Sequence, residues 1–178
     1  MPLSPTVQGL TCFACGHRGT ADRLATVCPR CAMPLRVELS LPQREPADVV
    51  DPSISSLWRY SAVLPLDIDD AVTLGEGWTP LVEVDDRVWV KDEAQNPTGS
   101  FKARGMALAE SPAVQLGASH LVDPSGGYAP SGLAAYGSRV GKPQRVAMPD
   151  DKPKPFNREC LHYGAQFDLV QGKIADAC

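Results

Sequence analysis

An α/β fold with parallel crossovers, preceded by a small cysteine-rich module, is the class that this sequence predicts. Three observations carry the prediction. Two CxxC pairs lie near the start, short apolar runs alternate with helix-length segments after residue 117, and the residues are 43% hydrophobic and 21% charged, the balance of a folded chain. A chain of 178 residues can bury one sizeable core, or one moderate core plus a small metal-stapled module. The 17 prolines and 15 glycines imply many turns.

Cys12-Phe13-Ala14-Cys15-Gly16 is answered by Cys28-Pro29-Arg30-Cys31. Thiolates two residues apart can grip one tetrahedral ion, and two such knuckles complete four sulfur ligands. Cys12, Cys15, Cys28 and Cys31 are therefore expected to hold a structural Zn2+, with another thiophilic metal or an empty site as the alternatives. Four sulfurs leave no open position, so such a metal organises the chain and performs no chemistry. His17 reads as an exposed loop histidine, Cys160 as a helix-face thiol and Cys178 as a terminal one.

The organisation expected is a zinc-ribbon-like module over 1–36, a connector over 37–75, a piece of a larger domain over 76–116 and a small parallel α/β domain over 117–178. Leu57, Trp58 and Tyr60 are expected to pin a short helix of the proline-interrupted connector to the body, and Asp67, Asp69 and Asp70 to form a solvated turn. Pro80–Val84 and Arg87–Lys91 flank Asp85-Asp86 and read as an antiparallel hairpin. Ser100 can cap a helix through residues 101–110, which Pro112 ends or kinks. Strands are expected over 118–122, 144–148 and 165–170, and helices over 130–140, 155–163 and from 172 onward.

The formal charge of −4 and the absence of a basic run argue against nucleic acid as a partner. No apolar run reaches the roughly 18 residues of a membrane span, so none is expected. The first ten residues lack a basic region followed by an apolar core, and with paired CxxC motifs this points to the cytoplasm.

Asn96-Pro97-Thr98-Gly99-Ser100-Phe101-Lys102 places a lysine in the first turn of a helix, where the helix dipole disfavours a positive charge. Such a lysine can bind a phosphate or carboxylate, serve as an imine-forming amine, or simply lie on the surface. Together with Gly75-Glu76-Gly77-Trp78-Thr79-Pro80-Leu81, Lys91-Asp92-Glu93 and the following Ala103-Arg104-Gly105, this string resembles the threonine-synthase family. These are fold-type II pyridoxal-phosphate (PLP) enzymes with a tryptophan synthase β-like fold, and some carry a zinc-ribbon-like module in front.

The resemblance implies that Lys102 forms an imine with the PLP aldehyde, is displaced by the amino acid substrate, and then moves protons at its Cα and Cβ. The family reaction converts O-phospho-L-homoserine and water to L-threonine and phosphate, with the pyridine ring as electron sink. Ser100 would sit beside the imine or act only as a helix cap, and Arg104 would meet a substrate phosphate or lie on the helix surface. The turn at Ser125-Gly126-Gly127 would grip the substrate carboxylate through amides near Ser125 and Gly127. Relatives read SxGNxG there; this sequence has Tyr128 in place of the asparagine that bonds the cofactor's ring hydroxyl, and Pro130 in place of the second glycine. A tyrosine adds a large ring, and a proline removes one backbone donor.

The family also has a second half of its large domain, with a glycine-rich phosphate cup. No such loop follows Lys102, so the chain is expected to be truncated and to lack turnover on its own, acting with a complementing chain or as a homo-oligomer. The alternative is a non-catalytic paralogue or interaction protein that keeps the ribbon and the small domain.

Overall fold

The computed structural model describes residues 4–66 and 68–176. They form two compact units: Met1–Ala71 with Ser111–Ala118, and Val72–Glu110 with Ser119–Cys178. Residues 1–36 and most of 37–75 thus share one unit, and the start of the other falls at Val72.

In the first unit, β1 (Val7–Cys12) pairs antiparallel with both β2 (Arg18–Gly19) and β3 (Leu35–Leu39). Gly9 has φ +145°, and a Cβ there would stand 2.7 Å from the Gly19 carbonyl oxygen, so the close approach of β1 to β2 requires glycine. The segment Leu57–Val63 is a 3₁₀ helix whose Ser56 hydroxyl accepts from the Trp58 amide. Trp58 is its anchor at 1% exposure, whereas Tyr60 is 40% exposed and lies beside the Arg59 guanidinium, so it does not pin the helix. Asp69 and Asp70 lie in an exposed 3₁₀ turn, Ile68–Asp70; Asp67 lies outside the described residues.

The second unit opens with the hairpin β4 (Leu81–Asp85) and β5 (Val88–Lys91), in which Val82 opposes Val90 and Glu83 opposes Trp89. Helix α1 then runs Lys102–Gln115. Pro112 does not end it: the Leu116 amide donates to the Pro112 carbonyl at 2.9 Å, which carries the turn past the missing N–H. Gly117, at φ +84°, makes the stop.

Beyond it β6 (Leu121–Pro124), β7 (Gln144–Pro149) and β8 (Gln166–Val170) form a parallel sheet in the order β6-β7-β8. Helices α2 (Tyr128–Arg139) and α3 (Lys154–His162) are its crossovers. Small residues let α2 pack closely: a Cβ on Gly132 would meet the Met106 side chain at 2.7 Å. The core here is Ala134, Ala135, Tyr136, Val146, Met148 and Cys160. Of the helix expected from residue 172, the described residues show a 3₁₀ turn, Ile174–Asp176, at whose start the Asp176 carboxylate accepts from the Lys173 amide; Cys178 lies outside the described residues. No helix among the described residues is long and apolar enough to cross a membrane.

Candidate functional site: a lysine at a helix start and a four-cysteine cluster

The lysine loop is built by two consecutive left-handed residues. Thr98 has φ 59° and Gly99 φ 64°, an uncommon conformation for threonine that turns the chain sharply into α1. Ser100 then returns to extended backbone, is buried, and accepts from the Lys102 amide at 3.2 Å. Its hydroxyl therefore serves as the helix cap. Lys102 itself is exposed; its Nζ lies 4.8 Å from the centre of the Phe101 ring and makes no hydrogen bond or ion pair among the described residues.

A polar lattice fixes this loop to the Gly75–Pro80 segment. Asn96 accepts from the Gly77 amide at 2.9 Å, and its Nδ2 donates to the Glu93 carboxylate at 2.9 Å. Arg104 donates to both Glu93 oxygens, at 2.8 and 2.7 Å, and to Thr79 Oγ1 at 3.2 Å. The Arg104 guanidinium, aided by Thr79 and Asn96, holds the Glu93 carboxyl down at about 2. Arg104 thus braces the loop, and this fork-to-fork pairing engages the guanidinium that the sequence offered to a substrate phosphate.

The β6-to-α2 turn lies at the carboxyl end of the parallel sheet, where ligands of open α/β sheets bind. Ser125 donates its amide to the Ala147 carbonyl at 3.1 Å, extending the ladder. The amides of Gly126 and Gly127 make no hydrogen bond among the described residues, so these two, and not Ser125's, are the donors left for a carboxylate. The stem of Lys152 lies across the turn, since a Cβ on Gly126 would stand 2.7 Å from its Cε. The ring of Tyr128 is half-exposed and packs edge-on against Phe156 of α3, with centroids 4.9 Å apart.

Beneath the lysine loop lie carboxyls that the sequence reading did not single out. Glu76 is fully buried and accepts from Tyr136 Oη at 2.6 Å and from the Leu74 amide at 3.0 Å. Glu110 is 2% exposed, and neither carboxyl oxygen has a hydrogen-bond partner. Burial first, and the Asp123 charge second, push its carboxyl up to about 8 from an ordinary 4.5. The folded chain therefore holds this proton more tightly than the unfolded one. The resulting stability is complete below pH 4.5 and is lost as pH rises through about 8. Glu110→Gln is expected to leave stability unchanged near the acid end and to raise it by about 2 kcal/mol at the alkaline end. Urea titrations at both pH values check this; a variant no more stable than its parent at the alkaline end contradicts it.

The four cysteines of the first unit converge. Their sulfurs lie within 4.8 Å of one another, with Cys12 to Cys31 at 3.5 Å and Cys15 to Cys28 at 3.6 Å. Ligands at Zn–S distances of about 2.3 Å in a tetrahedron stand about 3.8 Å apart, so the donor set fits a four-thiolate ion. The Cys15 amide, chiefly, lowers the Cys12 thiol to about 6. Cys31 is lowered by the Met33 amide, but the sulfurs of Cys12, Cys15 and Cys28 together with burial carry it up to about 12. Crowded thiols resist complete ionisation until a cation joins them. His17 stays outside the cluster, on the rim of a cavity with Thr20 and Arg23.

Residues 72–178 match the family described as pyridoxal-phosphate dependent enzyme. The chain belongs to that family. It is 31% identical over 178 residues to the threonine synthase of Methanosarcina acetivorans, covering 94% of this chain and 44% of that protein. It is 37% identical over 131 residues to that of Methanocaldococcus jannaschii (68% and 32% covered) and 37% over 153 residues to that of Synechocystis (77% and 40%). The chain therefore spans less than half the length of these relatives. A hydrogen sulfide-producing enzyme from Fusobacterium nucleatum shares its fold, with a TM-score of 0.53, 23% identity, and 57% of this chain and 37% of that one covered. The α/β architecture is thus that of fold-type II PLP enzymes, with a cysteine cluster in front.

The family implies PLP, and the residues present fit its aldehyde end: an exposed amine that makes no hydrogen bond or ion pair among the described residues, in the same unit as a turn whose Gly126 and Gly127 amides make none there either. The asparagine expected at the ring hydroxyl is absent, and Tyr128 is turned onto α3.

Proposed function

We propose that this chain supplies the lysine-bearing part of a threonine synthase-like active site, with O-phospho-L-homoserine and water as substrates and L-threonine and phosphate as products. Lys102 carries the reading: an exposed, unpaired amine at the start of α1, in a loop held by Asn96, Glu93 and Arg104. When bound, PLP supplies an electron sink that lowers the barrier to losing a proton next to the amino acid's nitrogen. Lys102 anchors it and then moves protons at Cα and Cβ, Gly126 and Gly127 offer amides to the substrate carboxylate, and Arg104 keeps the loop in place. A structural Zn2+ on Cys12, Cys15, Cys28 and Cys31 organises the N-terminal module.

Turnover is assigned to an assembly that includes the parts its longer relatives possess, since positioning within about 1 Å governs such chemistry. The likeness to threonine synthases supports the substrate assignment, and the paired CxxC motifs support a cytoplasmic setting. Titrating the purified chain with PLP is expected to produce an absorption band of the lysine-bound cofactor that Lys102→Ala abolishes. An identical spectrum from both proteins overturns the assignment.

A further inference from the structure

We propose that the outer edge of β5 is an interaction surface for a second copy of this chain, the two β5 strands pairing antiparallel about a two-fold axis through Val90. The β4–β5 hairpin is a sheet of two strands, and among the described residues it packs extensively against no other strand or helix. All five residues of β4 and all four of β5 are exposed, and Leu81, Val82, Val84, Val88, Trp89 and Val90 among them are apolar. A two-stranded hairpin is marginally stable in water by itself, and further strands are what steady it.

The two edges of this hairpin differ. β4 carries Glu83 and Asp85, and its register against β5 shifts between those two residues. Charged side chains and bulges are the devices by which an edge strand refuses another strand. β5 has no bulge of its own. Val88, Trp89 and Val90 are 46–52% exposed, and its one charged residue, Lys91, stands at the strand's end and donates to the Thr79 carbonyl. Self-pairing of β4 about Glu83 would set two carboxylates directly opposite each other, which is unfavourable; self-pairing of β5 sets none.

β5 is also complementary to itself. Two antiparallel copies related by a two-fold axis normal to the sheet bring like faces together, and the residue on the axis faces its own copy. With Trp89 on the axis, Arg87 would oppose Lys91 of the second copy, like charge against like. With Val90 on the axis, Lys91 instead opposes Trp89 of the second copy, at both ends of the pairing, which lays a cationic side chain along an aromatic one. The product is a four-stranded sheet, β4-β5-β5-β4. Val82 and Val90 lie directly opposite within each hairpin, so one face of that sheet carries Val82, Val88 and Val90 from each copy.

Sedimentation equilibrium of the purified chain over a range of concentrations tests this, and no readout depends on Lys102 or PLP. The parent chain is expected to form a dimer that dissociates on dilution. Val90→Lys places two ammonium groups opposite each other across the axis and is expected to raise the dissociation constant about tenfold or more. Val82→Lys lies on the same face but on β4, and should change it by no more than about twofold; circular dichroism like that of the parent shows that both variants are folded. Air oxidation of Val90→Cys should join two copies through the introduced thiols, identified by peptide mass spectrometry, whereas Val82→Cys should give no such link. A parent chain that sediments as a monomer at every concentration overturns the proposal, a result that needs no variant. A dimer indifferent to Val90→Lys also overturns it, as does one weakened equally by Val82→Lys, since the contact would then be the valine face and not the β5 edge.

Discussion

Cys28→Ser is expected to abolish stoichiometric zinc binding and to unfold the β1–β3 module. Cys28 is 2% exposed, its sulfur lies 3.6 Å from that of Cys15, and its carbonyl and amide close the second knuckle on Ala32 and Met33. The short three-stranded sheet around it has little apolar material, for Leu24, Val27, Met33, Val37 and Leu39 are exposed. Ligation of a metal by the four cysteines is then expected to be the main source of order here, since structural zinc contributes about 10–16 kcal/mol in isolated fingers. Zinc release measured with a chromogenic chelator should give one equivalent for the parent and close to none for the variant. Limited proteolysis should cut the variant within residues 10–36. Equal zinc content in both proteins, or a protease pattern untouched by chelation, would contradict a structural metal.

The second large effect is expected at Glu76. Its carboxylate is sealed in the second unit and serves the Tyr136 hydroxyl, the Leu74 amide and the Thr73 hydroxyl, the last at 3.1 and 3.2 Å. Burial, with the Glu76 carboxylate adding to it, raises the Tyr136 hydroxyl far above its ordinary value, so it remains a donor throughout. Glu76→Ala strands these donors in a packed interior and is expected to cost about 3–5 kcal/mol, while Tyr136→Phe, which removes one donor only, should cost about 1.5–3 kcal/mol. Urea unfolding of both variants gives the comparison. Glu76→Ala costing less than Tyr136→Phe would mean that the carboxylate is not the hub of the network.

Much of the second unit was legible because its periodicities are undisturbed. Val82 and Val90 pair across a hairpin turn at Asp85-Asp86, and the strands of the parallel sheet fall within a few residues of the runs that predict them. Paired CxxC spacing announces the cysteine cluster, since two residues between thiols is a chelate geometry. Of the two outcomes expected at Pro112, an end did not occur, because a proline removes only one helical bond and a glycine five residues later makes a stronger stop. Tyr60 misled because alternate burial on so short a 3₁₀ turn leaves one aromatic outside.

The buried carboxyls were invisible for a different reason. Glu76, Glu110 and Asp123 read as polar surface residues in any linear pattern, and only the folding of α1 and α2 beside β6 encloses them. Glu93 and Asn96 lay inside the quoted motifs without a stated role; the donors and acceptors they form with Thr79 and Arg104 emerge only in the fold. Ser100 caps α1, one of its two readings, whereas Arg104 braces the loop through Glu93 and Thr79, a role that neither of its readings named.

The central claim is that one amine, at the start of α1, is the group that takes the cofactor aldehyde. Borohydride reduction of the PLP-treated chain, followed by peptide mass mapping, tests it most directly. The pyridoxyl mass is expected on the peptide containing Lys102, in preference to those containing Lys142, Lys152 and Lys154. A mass spread evenly over the surface lysines, or absent from Lys102, would contradict the account.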